Sequence, residues 1–205
     1  VTGLIGDGSR ADVTAVSDPD VALMLAFAKG REEAFVELYH RYRDRLVTFT
    51  QRMLGDQARA EDAAQEVFLK LYRTRDSYQA KSRFSTFLYR IATNHCLNQR
   101  ARLEQHSVDG DADHDALATD QLNQQQRLAQ KQLAGSIEQA LSQLPERQRA
   151  ALLLVHYEGM SYREAAESLE VSEQAIKAMI HRARATLMTE LGPQLEEPLE
   201  LAHGL

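Results

Sequence analysis

Apolar residues recur at intervals of three and four along two blocks of this chain, and between the blocks, from His106 to about Gln130, large ones almost vanish. A 3.6-residue period places such residues on one stripe of a helix, so each block reads as a set of packed helices. In the first block Phe35, Leu38, Tyr39, Tyr42, Leu46, Phe49 and Met53 mark a long helix that Gly55-Asp56 ends, with Gly30 parting it from a shorter helix ahead. Ala64, Val67, Phe68, Leu71 and Tyr72 mark another helix, expected over Ala60 to Arg75, and Phe84, Phe87, Leu88, Ile91 and His95 a third. The second block opens with Ile137, Ala140, Leu141 and Leu144, and Pro145-Glu146 then starts a helix to about Tyr157. Proline is tolerated in a first turn, where an acid also suits the positive helix end. Ser161-Tyr162-Arg163-Glu164 is a capping box for a helix carrying Ala165, Ala166 and Leu169. Val171-Ser172 reads as turn and N-cap for a last helix with Ile176, Met179, Ile180, Ala183 and Leu187 inward. Four prolines, ten glycines and no tryptophan in 205 residues fit this all-α reading.

The expected organisation is a disordered leader (1–17), a helical domain (18–105), a flexible acidic linker (106–130), a second helical domain (131–191) and an acidic tail frayed beyond Gly192-Pro193 (192–205). The single Cys96 excludes an intramolecular disulfide and a cysteine-based zinc finger, which suits a reducing cytosol. No apolar run is long enough to span a bilayer, and no basic-then-apolar signal pattern opens the chain, so a cytoplasmic protein without membrane insertion is expected. A net charge of -6 looks unfavourable for nucleic acid. Its distribution is uneven: residues 18–105 hold fifteen Lys or Arg against twelve Asp or Glu, whereas 106–130 hold one against five.

Three constellations stand out. The short helices around Leu169-Glu170-Val171 have helix-turn-helix anatomy, and the second displays Lys177, His181 and Arg184 at spacings of four and three, with Arg182 beside them. They read either as a DNA-reading stripe or as an ordinary solvated face. Arg90, Asn94, Asn98 and Arg102 repeat every four residues on the third helix, preceded by Lys81, Arg83 and Phe84. Phosphate ligands, amides and an aromatic plate suit single-stranded DNA; the alternative is Phe84 in the core under a plain polar surface. Asp62, Gln65, Glu66, Leu69 and Arg73 lie on the outer side of the second helix, either a partner-binding face or a solvated face with one stray leucine. His95-Cys96 offers no metal site, because adjacent side chains diverge on a helix and no further ligand pair sits at the right spacing.

RAEDAAQEVFLKLYR (59–73), FSTFLYRIATNHCLNQRAR (84–102) and LPERQRAALLLVHYEGMSYREAAESLEVSEQAIKAMIHRARATL (144–187), in this order, resemble the extracytoplasmic-function sigma factors of the sigma-70 family, over about residues 18–190. The resemblance implies a non-enzymatic RNA polymerase specificity subunit with no cofactor, catalytic residue or metal, made of sigma regions 2 and 4. Asp62, Gln65, Glu66 and Leu69 would dock the β′ clamp helices of core polymerase, and the β flap is a further implied contact. Lys81, Arg83, Phe84, Arg90, Asn94, Asn98 and Arg102 would melt and read the minus-ten element. Ser172, Gln174, Lys177, His181, Arg182 and Arg184 would serve the minus-thirty-five element. The linker would thread toward the active-site channel and RNA exit path, and an anti-sigma factor is an implied partner.

The sequence departs from the family at Ala178-Met179, where a Ser-Arg pair is common, so weaker or altered minus-thirty-five readout is expected. That departure motivates an alternative, a sigma-like decoy that binds an anti-sigma factor without reading DNA; the polar stripe on the third helix counts against it. A stand-alone helix-turn-helix regulator is a third reading, opposed by the surface from Asp62 to Leu69.

Overall fold

A computed structural model describes residues 18–106 and 135–200, those from 103 to 106 and from 192 onward by backbone alone. The expected leader and most of the expected linker lie outside these residues. Among the described residues the chain is helical without strands: α1 Pro19–Ala28, α2 Glu32–Leu54, α3 Gln57–Arg73, a 3-10 turn Arg75–Ser77 and α4 Phe84–His106. Residues 135–142 form α5, followed by α6 Glu146–His156, α7 Tyr162–Leu169 and α8 Glu173–Glu200.

Local chemistry sets the boundaries. Gly55 ends α2 at φ 73, in the left-handed region open to a residue without Cβ, and the Asp56 carboxylate then accepts from the Arg59 amide to start α3. The expected capping box is present: Ser161 Oγ accepts from the Glu164 amide, and Glu164 reaches back to the Ser161 amide. The helix-turn-helix corner falls on Glu170, at φ 55 the one non-glycine with positive φ among the described residues. A left-handed L-residue costs about 1–2 kcal/mol, more than the roughly 0.5–1 kcal/mol of chain entropy that glycine forfeits. Glu170→Gly is therefore expected to raise Tm by a few degrees in a thermal melt, without moving the corner.

α8 does not stop at Gly192-Pro193, where the tail was expected to begin; its helical backbone continues to Glu200. A proline removes one donor and crowds the carbonyl four residues back, a local cost that need not terminate a helix.

The first domain is built on α2. Leu38, Tyr42, Leu46, Phe49 and Met53 form its buried stripe, against which α1 and α3 pack. Phe27, fully buried, joins α1 to this core through Phe35 and Tyr72, with ring centroids at 4.9 and 5.2 Å. The second domain packs α6, α7 and α8 around Leu153, Leu154, Leu169, Ile176 and Ile180. The two domains also touch: α4 packs on α7, and α2 and α4 on α6.

Cys96 is buried on α4, and burial pushes its thiol up to about 12. The reactive thiolate is therefore scarce at pH 8. Maleimide should leave the native protein unlabelled over minutes and label it at once in denaturant, as mass spectrometry would show.

Candidate nucleic-acid and polymerase-docking surfaces

Three outward faces on three helices carry the residues singled out in the sequence. α3 buries Ala60, Ala63, Ala64, Val67, Phe68 and Leu71, which turns Asp62, Gln65, Glu66, Leu69 and Arg73 to solvent. Leu69 is 45% exposed, a large aliphatic side chain among charged neighbours. Burial lowers the pKa of half-buried His95, on the adjacent α4, although the Glu66 carboxylate opposes the shift. A neutral imidazole therefore lies beneath this face.

α4 is anchored at its start by Asp18. One carboxylate oxygen accepts from the Asp20 amide at the head of α1 and the other from the Phe84 amide at the head of α4, each at 3.0 Å. A single negative charge thus serves two positive helix ends. On the anchored helix Arg90, Asn98 and Arg102 are exposed and Asn94 half-buried, as their four-residue spacing requires, and Lys81 and Arg83 are exposed just ahead.

Phe84 is not part of that stripe. It is fully buried, with its ring edge-on to Tyr42 at 5.2 Å, so it offers no face to a base and is core. The accessible aromatic is Phe87, half-buried between Tyr78, at 5.0 Å, and the Arg90 guanidinium, at 5.5 Å from the ring centroid. Phe87 stands four residues after Arg83 and three before Arg90, so helical spacing alone places it on the stripe. Phe84 lies one residue outside that register.

On α8, Ile176, Ile180 and Ala183 face inward while Gln174, Lys177, His181, Arg182 and Arg184 are exposed. Exposed Ser172 caps the helix, its Oγ accepting from the Ala175 amide at 3.2 Å. The Arg184 guanidinium donates to His156 Nε2 at 2.8 Å. Burial, and then Arg184, lowers the pKa of His156, which favours the neutral ring that this bond requires. Ala178 and Met179 are both half-buried, and Met179 packs against the core. Met179 therefore occupies a packing position beside the outward stripe.

The three faces lie on three different helices, α3, α4 and α8. Among the described residues no group of three or more His, Cys, Asp or Glu could hold a metal ion.

Family comparison assigns residues 38–105 to Sigma-70 region 2 and residues 134–187 to Sigma-70 region 4. The chain is 30% identical to the ECF RNA polymerase sigma factor SigW of Bacillus subtilis, covering 80% of this chain and 91% of that one. It is 34% identical to SigM of Mycobacterium tuberculosis (84% and 85% covered) and 28% identical to the sigma-E factor of Escherichia coli K12 (85% and 95%). Among solved structures, the sigma factor RpoE of Bartonella quintana, in complex with the anti-sigma factor NepR, matches with a TM-score of 0.61 and 26% identity over 77% of this chain and 96% of that one. CnrH, in complex with the cytosolic domain of CnrY, shares the fold with a TM-score of 0.64 at 24% identity, over 86% and 99%. The chain belongs to the extracytoplasmic-function RNA polymerase sigma factors of the sigma-70 family.

Proposed function

We propose that this sigma factor docks on core polymerase through the α3 face, reads the melted minus-ten strand with α4 and the minus-thirty-five duplex with α8, and itself performs no chemistry. The observation that carries the reading is the stripe Phe87, Arg90, Asn94, Asn98 and Arg102 on one anchored helix, with Arg83 just ahead of it. Guanidinium groups take phosphates, Asn amides reach base edges and an aromatic stacks an unpaired base, the combination that single strands need. Lys81, exposed just ahead of α4, extends the stripe at its N-terminal end.

Asp62, Gln65, Glu66 and Leu69 engage the β′ clamp helices, and the second domain meets the β flap. Ser172, Gln174, Lys177, His181, Arg182 and Arg184 face the major groove or its flanking phosphates. An anti-sigma partner is supported by the solved complex of the related RpoE with NepR. Action in the cytoplasm follows from polymerase as partner, and no described helix is long and apolar enough to cross a membrane.

Variants of the two readers separate their roles. Lys177→Ala and Arg182→Ala should each weaken promoter binding by the holoenzyme, and a cation on a phosphate should lower the salt slope by about 1. Asn94→Ala with Asn98→Ala should instead relax base preference within the minus-ten segment, read by sequencing bound promoter variants. Unchanged preference in the Asn pair would count against α4 as the reader.

A further inference from the structure

Of Gln174, Lys177, His181, Arg182 and Arg184 on the outward face of α8, Arg184 alone is held by another side chain among the described residues. Its partner is His156, the last residue of α6, whose Nε2 lies 2.8 Å from the guanidinium. A guanidinium carries donors only, so Nε2 must accept and the ring proton must sit on Nδ1. The negative end of α6 would favour a charged ring. Burial, and then Arg184 itself, act the other way and lower the pKa, so the acceptor is a neutral imidazole in one tautomer.

This choice of partner sets Arg184 apart. Arg41, Arg45, Arg83 and Arg100 are each met by a carboxylate. A carboxylate fixes a guanidinium and also cancels its charge, whereas a neutral imidazole fixes it and leaves the charge whole. Arg184 is exposed, and its other N–H donors remain free for a ligand.

The place of Arg184 on the helix decides what those donors can take. It stands about 16 Å along the axis from Glu173, where α8 begins. Base edges meet the N-terminal residues of a recognition helix, so a side chain this far along lies beside the groove wall and its phosphates. An arginine free to sample many rotamers loses that freedom when it takes a phosphate, which lowers affinity by about two- to tenfold. The bond to His156 removes that cost in advance. Ala178 and Met179 add no donors to this helix, so the grip on DNA falls to few side chains.

We propose that His156, which lies outside the recognition helix, is a positioning residue for promoter binding: it holds Arg184 in the orientation that takes a backbone phosphate at the edge of the minus-thirty-five groove, without cancelling its charge. The inference rests on the assignment of α8 as the minus-thirty-five reader.

The test is holoenzyme affinity, over a salt series, for a duplex carrying a promoter that the holoenzyme uses. His156→Ala should weaken binding about two- to tenfold with an unchanged salt slope, because the Arg184 charge is still present. Arg184→Ala should weaken it further and lower the slope by about 1. The double variant should bind no more weakly than Arg184→Ala alone, since the two changes break one interaction. His156→Gln, whose amide oxygen is again a neutral acceptor, should restore most of the affinity. His156→Glu should instead weaken binding and lower the slope, because it holds the arginine and cancels its charge. In the free protein, nitrogen-15 shifts should show the His156 proton on Nδ1.

Wild-type affinity in His156→Ala, additive losses in the double variant, or a Gln variant as weak as Ala overturns the positioning role. So does a His156 proton on Nε2. An Arg184→Ala variant with unchanged affinity and slope removes Arg184 from the reader, and the proposal falls with that assignment rather than on its own.

Discussion

Leu69→Glu is expected to weaken assembly with core polymerase by about thirtyfold or more while leaving the chain folded. Leu69 is 45% exposed on the outer face of α3, so the change leaves no cavity and buries no charge within the protein. At a docked interface the same side chain is desolvated against its partner, and a carboxylate there would lose the apolar contact and strand a charge. An apolar anchor in a docked interface is worth about 2 kcal/mol or more, so its loss lowers affinity by roughly thirtyfold. Neighbouring Asp62 and Glu66 make a further negative charge worse. Fluorescence titration of core polymerase should show the loss, and circular dichroism should show an unchanged melt. Wild-type affinity would remove α3 from the docking surface.

The largest effect on stability should come from Phe27→Ala. This ring is fully buried where α1, α2 and α3 meet, tilted against Phe35 and Tyr72, with the Arg75 guanidinium 5.6 Å from its centroid. Removing it takes away the aromatic contacts and leaves a cavity that three helices cannot close together. Phe-to-Ala changes in such sites cost about 3–5 kcal/mol, against a total stability of about 5–15 kcal/mol for a domain. Urea unfolding should show the first domain losing about a fifth of its stability or more. α1 also positions Asp18, which holds the start of α4. Minus-ten binding should therefore decline in step with the fold.

Much of this architecture was legible in the sequence because helical period is a local property. The α2 stripe from Leu38 to Met53, the Gly55-Asp56 boundary and the Ser161–Glu164 capping box need only neighbours within a turn or two, and each lies where the spacing put it. The choice between Phe84 and Phe87 was harder. Both belong to the apolar pattern of α4, and a rotation of about 100° per residue separates an aromatic under the core from one beside Arg90. The register Arg83, Phe87, Arg90 held the answer, but apolar content drew both rings into one stripe.

Arg149 shows what local pattern cannot reach. In the run Glu146-Arg147-Gln148-Arg149 it reads as one more charge on a solvated first turn. It is buried because α6 lies against the C-terminal carbonyls of α2, 96 residues away in sequence. A charge whose partners are distant backbone oxygens leaves no mark on its own segment. The end of α8 was missed for a different reason: Gly192-Pro193 is a fair stop signal, yet the helical backbone passes through it.

The most direct test of the central claim is run-off transcription by purified core polymerase over a promoter library, with and without this chain, with the start sites sequenced. Initiation is expected at a defined set of promoters that share minus-ten and minus-thirty-five motifs, and only when the protein is added. Tight core binding with no initiation at any promoter would contradict it and favour a sigma-like decoy.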